Sequence, residues 1–459
     1  MIPLAVRAQL SQERLLLAGL SCLSLGTIYA VGFYRPPALG LVLLAVVLIA
    51  MASRAHGSPT RRFVWAVATL AIAAGNLRYA RRLGLATELP LAGAVVYATV
   101  GAVLVRVSKL RLLLLVAAGS GVVAMTAVAW HWGSADIDVF YLVQRASALL
   151  LHGLNPYAAP IAHPTALDPD HTAIAFTYLP GVSLLAAPGY LLGDVRVMSV
   201  VAFLALTLIA WQLAGASGAS SARIAATVAV CIATPTTVAM VHWAWVDVYA
   251  VLGLAGWITW RVSHRPWAIV MLFLGLTIKP TILIALVPAF VWSARARLEI
   301  VVAVVLAIMF MLPFIIATGA TEFFHDVIGI EASIGFRPLG LTLSAFFHQF
   351  TGHLVPVVVS ALCGVAIGVF ALWKRPETLT DMLISAALLS TAALLLAQWA
   401  FLNYYFIPIW LLAMAFAARG IGFDSATQPR LPDLLASLAR RSQMPRDIVP
   451  RRDPKTLPN

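Results

Sequence analysis

Apolar and polar positions divide this chain into long apolar runs joined by short basic connections. An apolar run of about 17–25 residues can cross a bilayer as a helix. Such runs fall at roughly 15–34, 37–53, 63–78, 90–106 and 111–131. A polar stretch, 131–178, interrupts them, and runs resume near 178–193, 196–216, 223–241, 246–261, 267–293 and 298–318. A second polar stretch, 319–338, precedes the runs 354–373, 381–397 and 401–418. Barrel-type alternation is absent, and only helices then satisfy the backbone in lipid. The pattern predicts an all-α polytopic integral membrane protein with about 12–14 transmembrane helices.

Inside the first polar stretch the period is helical. Val139, Leu142, Val143, Ala146, Leu149 and Leu150 share one face, and Asp138, Tyr141, Arg145 and His152 fall opposite. This predicts an amphipathic helix in the headgroup plane, ended by Gly153 and turned by Asn155-Pro156. The run 267–293 is broken by Lys279-Pro280. Keeping Arg261, Arg265, Arg295 and Arg297 on the cytoplasmic side requires Lys279-Pro280 to tip a helical hairpin and one neighbouring segment to be re-entrant. The same rule places both termini inside and both polar loops outside, with Arg78, Arg81 and Arg82 on the wrong side.

Composition agrees with the pattern. The 459 residues are 61% hydrophobic and 11% charged, with mean hydropathy +0.93, whereas soluble domains carry about a quarter charged residues. The net charge of +13 lies largely in connections and in the tail, where Arg430, Arg440, Arg441, Arg446, Arg451, Arg452 and Lys455 cluster. That distribution suits an anionic cytoplasmic leaflet, so membrane lipids are expected partners and nucleic acid is not. Cys22, Cys231 and Cys363 are isolated in apolar runs and make no disulfide framework. The first run shows no small-residue cleavage site and reads as a retained span. Three regions result: N-terminal helices 1–131, a membrane module 132–418, and a basic tail 419–459 that reads as disordered.

Four stretches in order carry a resemblance. They are Asp136-Ile-Asp138-Val-Phe-Tyr141 with Gly153-Leu-Asn155-Pro-Tyr157; Tyr178-Leu-Pro-Gly181 with Pro188; Lys279-Pro280; and Gln398-Trp-Ala-Phe-Leu-Asn403-Tyr404-Tyr405. Together they resemble the polyprenol-phosphate-mannose-dependent α-mannosyltransferases of the GT-C superfamily, over roughly 130–418. The resemblance implies a bacterial cytoplasmic-membrane enzyme whose site, formed by the two outer loops, faces away from the cytoplasm. It implies a polyprenyl-phosphate-linked sugar donor, a glycolipid or glycan acceptor, and a loop aspartate as base, which aligns with Asp136. The chain departs from many relatives in having roughly four further spans before that loop.

Such a transfer needs a base for the acceptor hydroxyl and cations for the leaving phosphate. Asp136 is the expected base, with Asp138 as co-base or hydroxyl ligand and His325 as a candidate to assist the base or bind sugar; Asp136 or Ser134 can instead cap the helix. Lys279, alone among apolar residues, is an expected phosphate ligand. Arg145 and Arg337 are further phosphate candidates, or a snorkelling arginine and a solvated loop cation. Asp247 lies in His242-Trp-Ala-Trp245-Val-Asp247-Val-Tyr249, as much an aromatic belt as a sugar platform. Gln398, Asn403 and Tyr404 are candidates to line the site together with Asn155, Tyr157 and Tyr178. His163, Asp168, Asp170 and His171 match no defined metal motif, and no cofactor is expected. Absence of a glycine-rich phosphate loop favours a lipid-linked donor over a nucleotide sugar. The rivals are a secondary transporter or flippase, which would show paired repeats and midplane charges, and a non-catalytic scaffold.

Overall fold

The structure, a computed structural model, describes residues 11–29, 33–55, 62–82, 88–131, 138–158, 161–162, 173–234, 236–330, 336–398 and 400–422. It is helical, apart from a two-residue antiparallel pair, Ile161–Ala162 with Ala173–Ile174, inside the first polar loop. The N-terminal helices are α1 (Gln12–Tyr29), α2 (Pro36–Ala52), α3 (Arg62–Arg82), α4 (Glu88–Leu104) and α5 (Ser108–His131). The first loop holds α6 (Asp138–Leu151), followed by α7 (Gly181–Leu191), α8 (Arg196–Ala216), α9 (Ser221–Ala233) and α10 (Thr236–His242). Next come α11 (Asp247–Val262), α12 (Trp267–Leu276), α13 (Ile282–Trp292), α14 (Ala294–Thr318) and α15 (Ala320–Phe324). The remainder is α16 (Leu343–Thr351), α17 (Val357–Leu372), α18 (Leu379–Leu396) and α19 (Leu402–Ala417).

Among the described residues, four helical segments are long and apolar enough to cross a bilayer: Ser108–Met125, Arg196–Ala216, Ala294–Thr318 and Leu379–Leu396. The bent pair α9–α10 makes a fifth when counted as one span. The other apolar helices have 10–17 residues, at or below the lower limit for a full crossing. α19 is the axle of the bundle. It is buried along almost its whole length and packs against α1, α8, α9, α11 and α18.

Contacts at the helix termini define two ends. At one end Glu13, at the start of α1, meets Trp65, Arg223 and Arg419. Glu299 meets Arg261 and Arg295 at this end as well, and Gln12 donates to Asp381. Both ends of the described chain therefore lie together. The opposite end gathers Tyr29, Tyr79, Asp247, Lys279, Thr318 and Asn403, each at the far terminus of its helix or turn. Arg78, on the wrong side by charge counting, is accounted for there. Its Nε donates to the Tyr29 carbonyl at the last residue of α1 (2.9 Å), and its guanidinium lies 3.9 Å from that ring's centroid. A cation at a helix C-terminus is favourable.

α12 and α13 form the hairpin required by the basic connections. α11 runs from Asp247 to Arg261, Lys279 at the tip returns to Asp247, and Ser293 returns to Arg261 at 2.9 Å. The run 178–193 is not a full crossing. α7 touches Thr277 at its start and is followed by Asp194, paired with Arg196 beside His242, so both its termini belong to the Lys279 end. Eleven residues span about 16 Å at 1.5 Å each, half a hydrocarbon core.

Candidate functional site

α11 opens on Asp247, which is completely buried. A carboxylate at a helix N-terminus is favoured by the macrodipole, but burial leaves its oxygens needing partners. Oδ1 accepts from Lys279 Nζ at 2.7 Å, and Oδ2 accepts from Asn403 Nδ2 at 3.1 Å. Lys279 reaches it because α12 ends at Leu276 and Pro280 cannot continue a helix, so the lysine sits in the turn. Its ammonium lies 3.8 Å from the centre of the Tyr404 ring. Lys279 retains slight exposure, 13% of its side chain, against 1% for Asp247.

The motif Tyr178-Leu-Pro-Gly181 docks on that hairpin tip. Gly181 N donates to the Thr277 carbonyl at 3.1 Å, and a Cβ at 181 would lie 2.3 Å from Thr277 Oγ1 and 2.6 Å from its carbonyl oxygen. Only glycine fits. The Tyr178 carbonyl then accepts from the Tyr157 hydroxyl at 2.6 Å. Asn155 Oδ1 accepts from Tyr157 N (3.1 Å), and its Nδ2 donates to Thr318 Oγ1 (2.8 Å). The Tyr157 ring packs on Phe176, Phe314 and Phe323, the last at 4.8 Å between centroids. The two polar loops are thus tied together at the end of α14.

The second loop supplies a one-turn π-helix, His325–Gly329, a form that recurs at functional sites. Asp326 is buried, and burial pushes its carboxyl above the usual range against the opposing pull of His325. The His325 ring is largely exposed, with Nδ1 3.5 Å from Asp326 Oδ1. The Tyr157 phenol is pushed up by burial and then by the charge of Asp326.

The remaining expected residues are more peripheral. Asp138 is half-buried and accepts from the N–H of its neighbour Val139 at 2.9 Å, a contact within the first turn of α6. Arg145 and Gln398 are exposed. Arg337 is exposed too, with its guanidinium 5.9 Å from the Phe401 ring centre. Asp136, Ser134 and the set His163, Asp168, Asp170 and His171 lie outside the described residues, as does the tail from 423. Among the described residues no group of three or more His, Cys, Asp or Glu side chains is placed to hold a metal.

Sequence reading missed Thr277, Thr318 and the Asp194–Arg196 pair. Arg196 grips Asp194 through Nε and Nη2 (2.6 Å at the closest), lies 4.6 Å from the Phe140 ring centre and donates to the His242 carbonyl at 3.5 Å. It thereby links the start of α6 to the turn before Asp247. The available signal was an acid and an arginine two residues apart, directly after Gly193 at a span boundary. Compared with protein-family profiles, curated proteins and solved structures, the chain finds no match.

Proposed function

We propose that this chain is a membrane-embedded glycosyltransferase of GT-C type, moving a mannosyl or related residue from a polyprenyl-phosphate-linked sugar to a glycolipid or glycan acceptor. The observation that carries the reading is convergence. Lys279, Asn403, Tyr404, Tyr157, Tyr178 and Asp247, far apart in sequence, belong to two linked knots at one end of the bundle. An ammonium at the rim of an apolar bundle, held by Asp247, suits a phosphate whose charge grows as the sugar leaves. In the reaction the acceptor oxygen bonds to the sugar C1 and the C1–O bond to phosphate breaks. The acceptor's proton passes to a carboxylate, for which Asp136 is the choice, and polyprenyl phosphate departs. The site would face the extracytoplasmic side, with the Glu13–Arg419 end cytoplasmic, because arginines crowd that end.

A transporter or flippase is the second reading, favoured by one observation: a hairpin of short helices with a buried Asp–Lys pair at its tip. Reconstituted protein incubated with radiolabelled polyprenyl-phosphate-mannose and an envelope lipid extract separates the two. Transfer yields a new labelled glycolipid, and Asp136→Asn lowers its rate about 10²–10⁴-fold. Lys279→Met abolishes it. Movement of label across the bilayer with no new covalent product would replace the enzyme reading with transport.

A further inference from the structure

The turn joining α10 to α11, His242-Trp243-Ala244-Trp245, is built in a way that helix termination alone does not require. Its two closing hydrogen bonds, Ala244 N to Val241 O (3.1 Å) and Trp245 N to Met240 O (2.9 Å), form a Schellman cap. The same cap closes the helices at Gly153, Gly193 and Gly218, where glycine takes the left-handed residue. Here that residue is Ala244, at φ 52°. Among the described residues His264 is the other non-glycine in this conformation, at the opposite end. An L-residue there is strained.

What the strained turn does is seat two indoles together. Trp243 and Trp245 meet edge-to-face at 4.5 Å between centroids. The His242 ring lies beside Trp243 at 5.9 Å and only 29° from parallel. Tyr79, from α3, packs its ring on Trp243 at 6.3 Å, and its hydroxyl sits 3.2 Å from His242 Nδ1. Arg196 Nη1 holds the His242 carbonyl. His242 and Trp243 are nevertheless partly exposed, while Trp245 behind them is buried. Tyr79 is fully buried and holds the imidazole from behind. The accessible surface, an indole edged by an imidazole four residues ahead of Asp247, has the chemistry of a pyranose platform: apolar C–H face on indole, ring hydroxyls at a polar edge.

We propose that His242 and Trp243 form a carbohydrate subsite that stacks the acceptor's sugar ring, with buried Tyr79 positioning the imidazole, so that the N-terminal helices shape acceptor recognition through that residue. This rests on the transfer reading above, and the test separates the two. Tryptophan fluorescence of the full chain in nanodiscs is titrated with octyl α-mannoside and with 1-O-octylglycerol, which has the same tail and no ring. Since the chain has 13 tryptophans, the quench belonging to Trp243 is the difference from Trp243→Leu, and the mannoside affinity of every variant is read by isothermal titration calorimetry. The mannoside is expected to quench saturably and the glycerol ether not. Trp243→Leu weakens mannoside binding at least tenfold, Tyr79→Phe about threefold, and Trp243→Phe, which keeps a stacking ring, less than threefold. Equal quenching by both amphiphiles, or unchanged mannoside affinity in folded Trp243→Leu, overturns the subsite and leaves an interfacial aromatic belt. Unchanged acceptor KM in that variant, with transfer intact, overturns it too and spares the transfer reading. Mannoside binding that depends on Trp243 in a protein without transfer activity keeps the subsite and removes the transferase.

Discussion

Asp247 and Lys279 are worth more as a pair than either is alone. Each is a charge taken out of water, and their attraction together with the Asn403 bond offsets that penalty. Asp247→Ala strands the ammonium and is expected to destabilise the protein by about 3–5 kcal/mol, whereas the double replacement Asp247→Leu with Lys279→Met should recover most of that loss. Denaturant unfolding in one detergent checks this. A double variant no more stable than Asp247→Ala would mean that the pair does not set the stability of this end. Lys279 was visible in the sequence because one cation in an apolar run stands out. The pairing was not: Asp247 lies 32 residues before Lys279 and 156 before Asn403, and nothing in local periodicity says which distant ammonium or amide a carboxylate will meet.

At the scale of elements, hydrophobic runs foretold helix positions well because each helix buries a face. The run at 196–216 matches α8 at both ends, and the stripe from Val139 to Ala146 is the buried face of α6. Two misreadings have separate physical sources. Hydropathy reports apolarity, not direction, so α7 read as a crossing when it turns back on the same end. α16, nine residues started by Thr342 and stopped by Gly352, was too short to raise a periodic signal. Nor does hydropathy show how close two helices come. α11 and α12 touch through glycine: a Cβ on Gly253 would lie 2.5 Å from Gly275 Cα and 2.7 Å from the Met271 carbonyl oxygen. Both obstacles are backbone, so the helices must part to admit a side chain. Gly253→Val is expected to cost about 1–3 kcal/mol or more and to lower transfer by moving Asp247 relative to Lys279. A variant with wild-type melting temperature and activity would show that this close approach does not position the site.

For the whole molecule, the question is whether helices α1–α5 are an appendage or part of one body. Glu13 decides it. Only 4% exposed, its carboxylate accepts from Trp65 Nε1 at 3.0 Å, is gripped by Arg419 and lies 3.6 Å from Arg223. One acid therefore binds α1 and α3 to α9 and to Arg419, two residues beyond the end of α19. At the other end Tyr79 and Asn76 of α3 bind His242 and the Ala233 carbonyl, the latter at 2.9 Å. An apolar-run count cannot reveal such lacing, since Glu13 stands in a short polar lead-in that reads as an ordinary cytoplasmic flank. Glu13→Gln keeps the shape and removes the charge, leaving Arg223 and Arg419 facing each other without their shared partner. The expected loss is about 3–5 kcal/mol, the usual consequence of breaking a buried ion pair from one side. If the N-terminal helices are integral, that loss lowers a single cooperative transition reported alike by tryptophan fluorescence and by thiol labelling of Cys22 and buried Cys231. Labelling of Cys22 at a lower denaturant concentration than Cys231, in the unmodified protein, would instead make residues 1–131 a separately folding unit and leave Tyr79 without a fixed place beside His242.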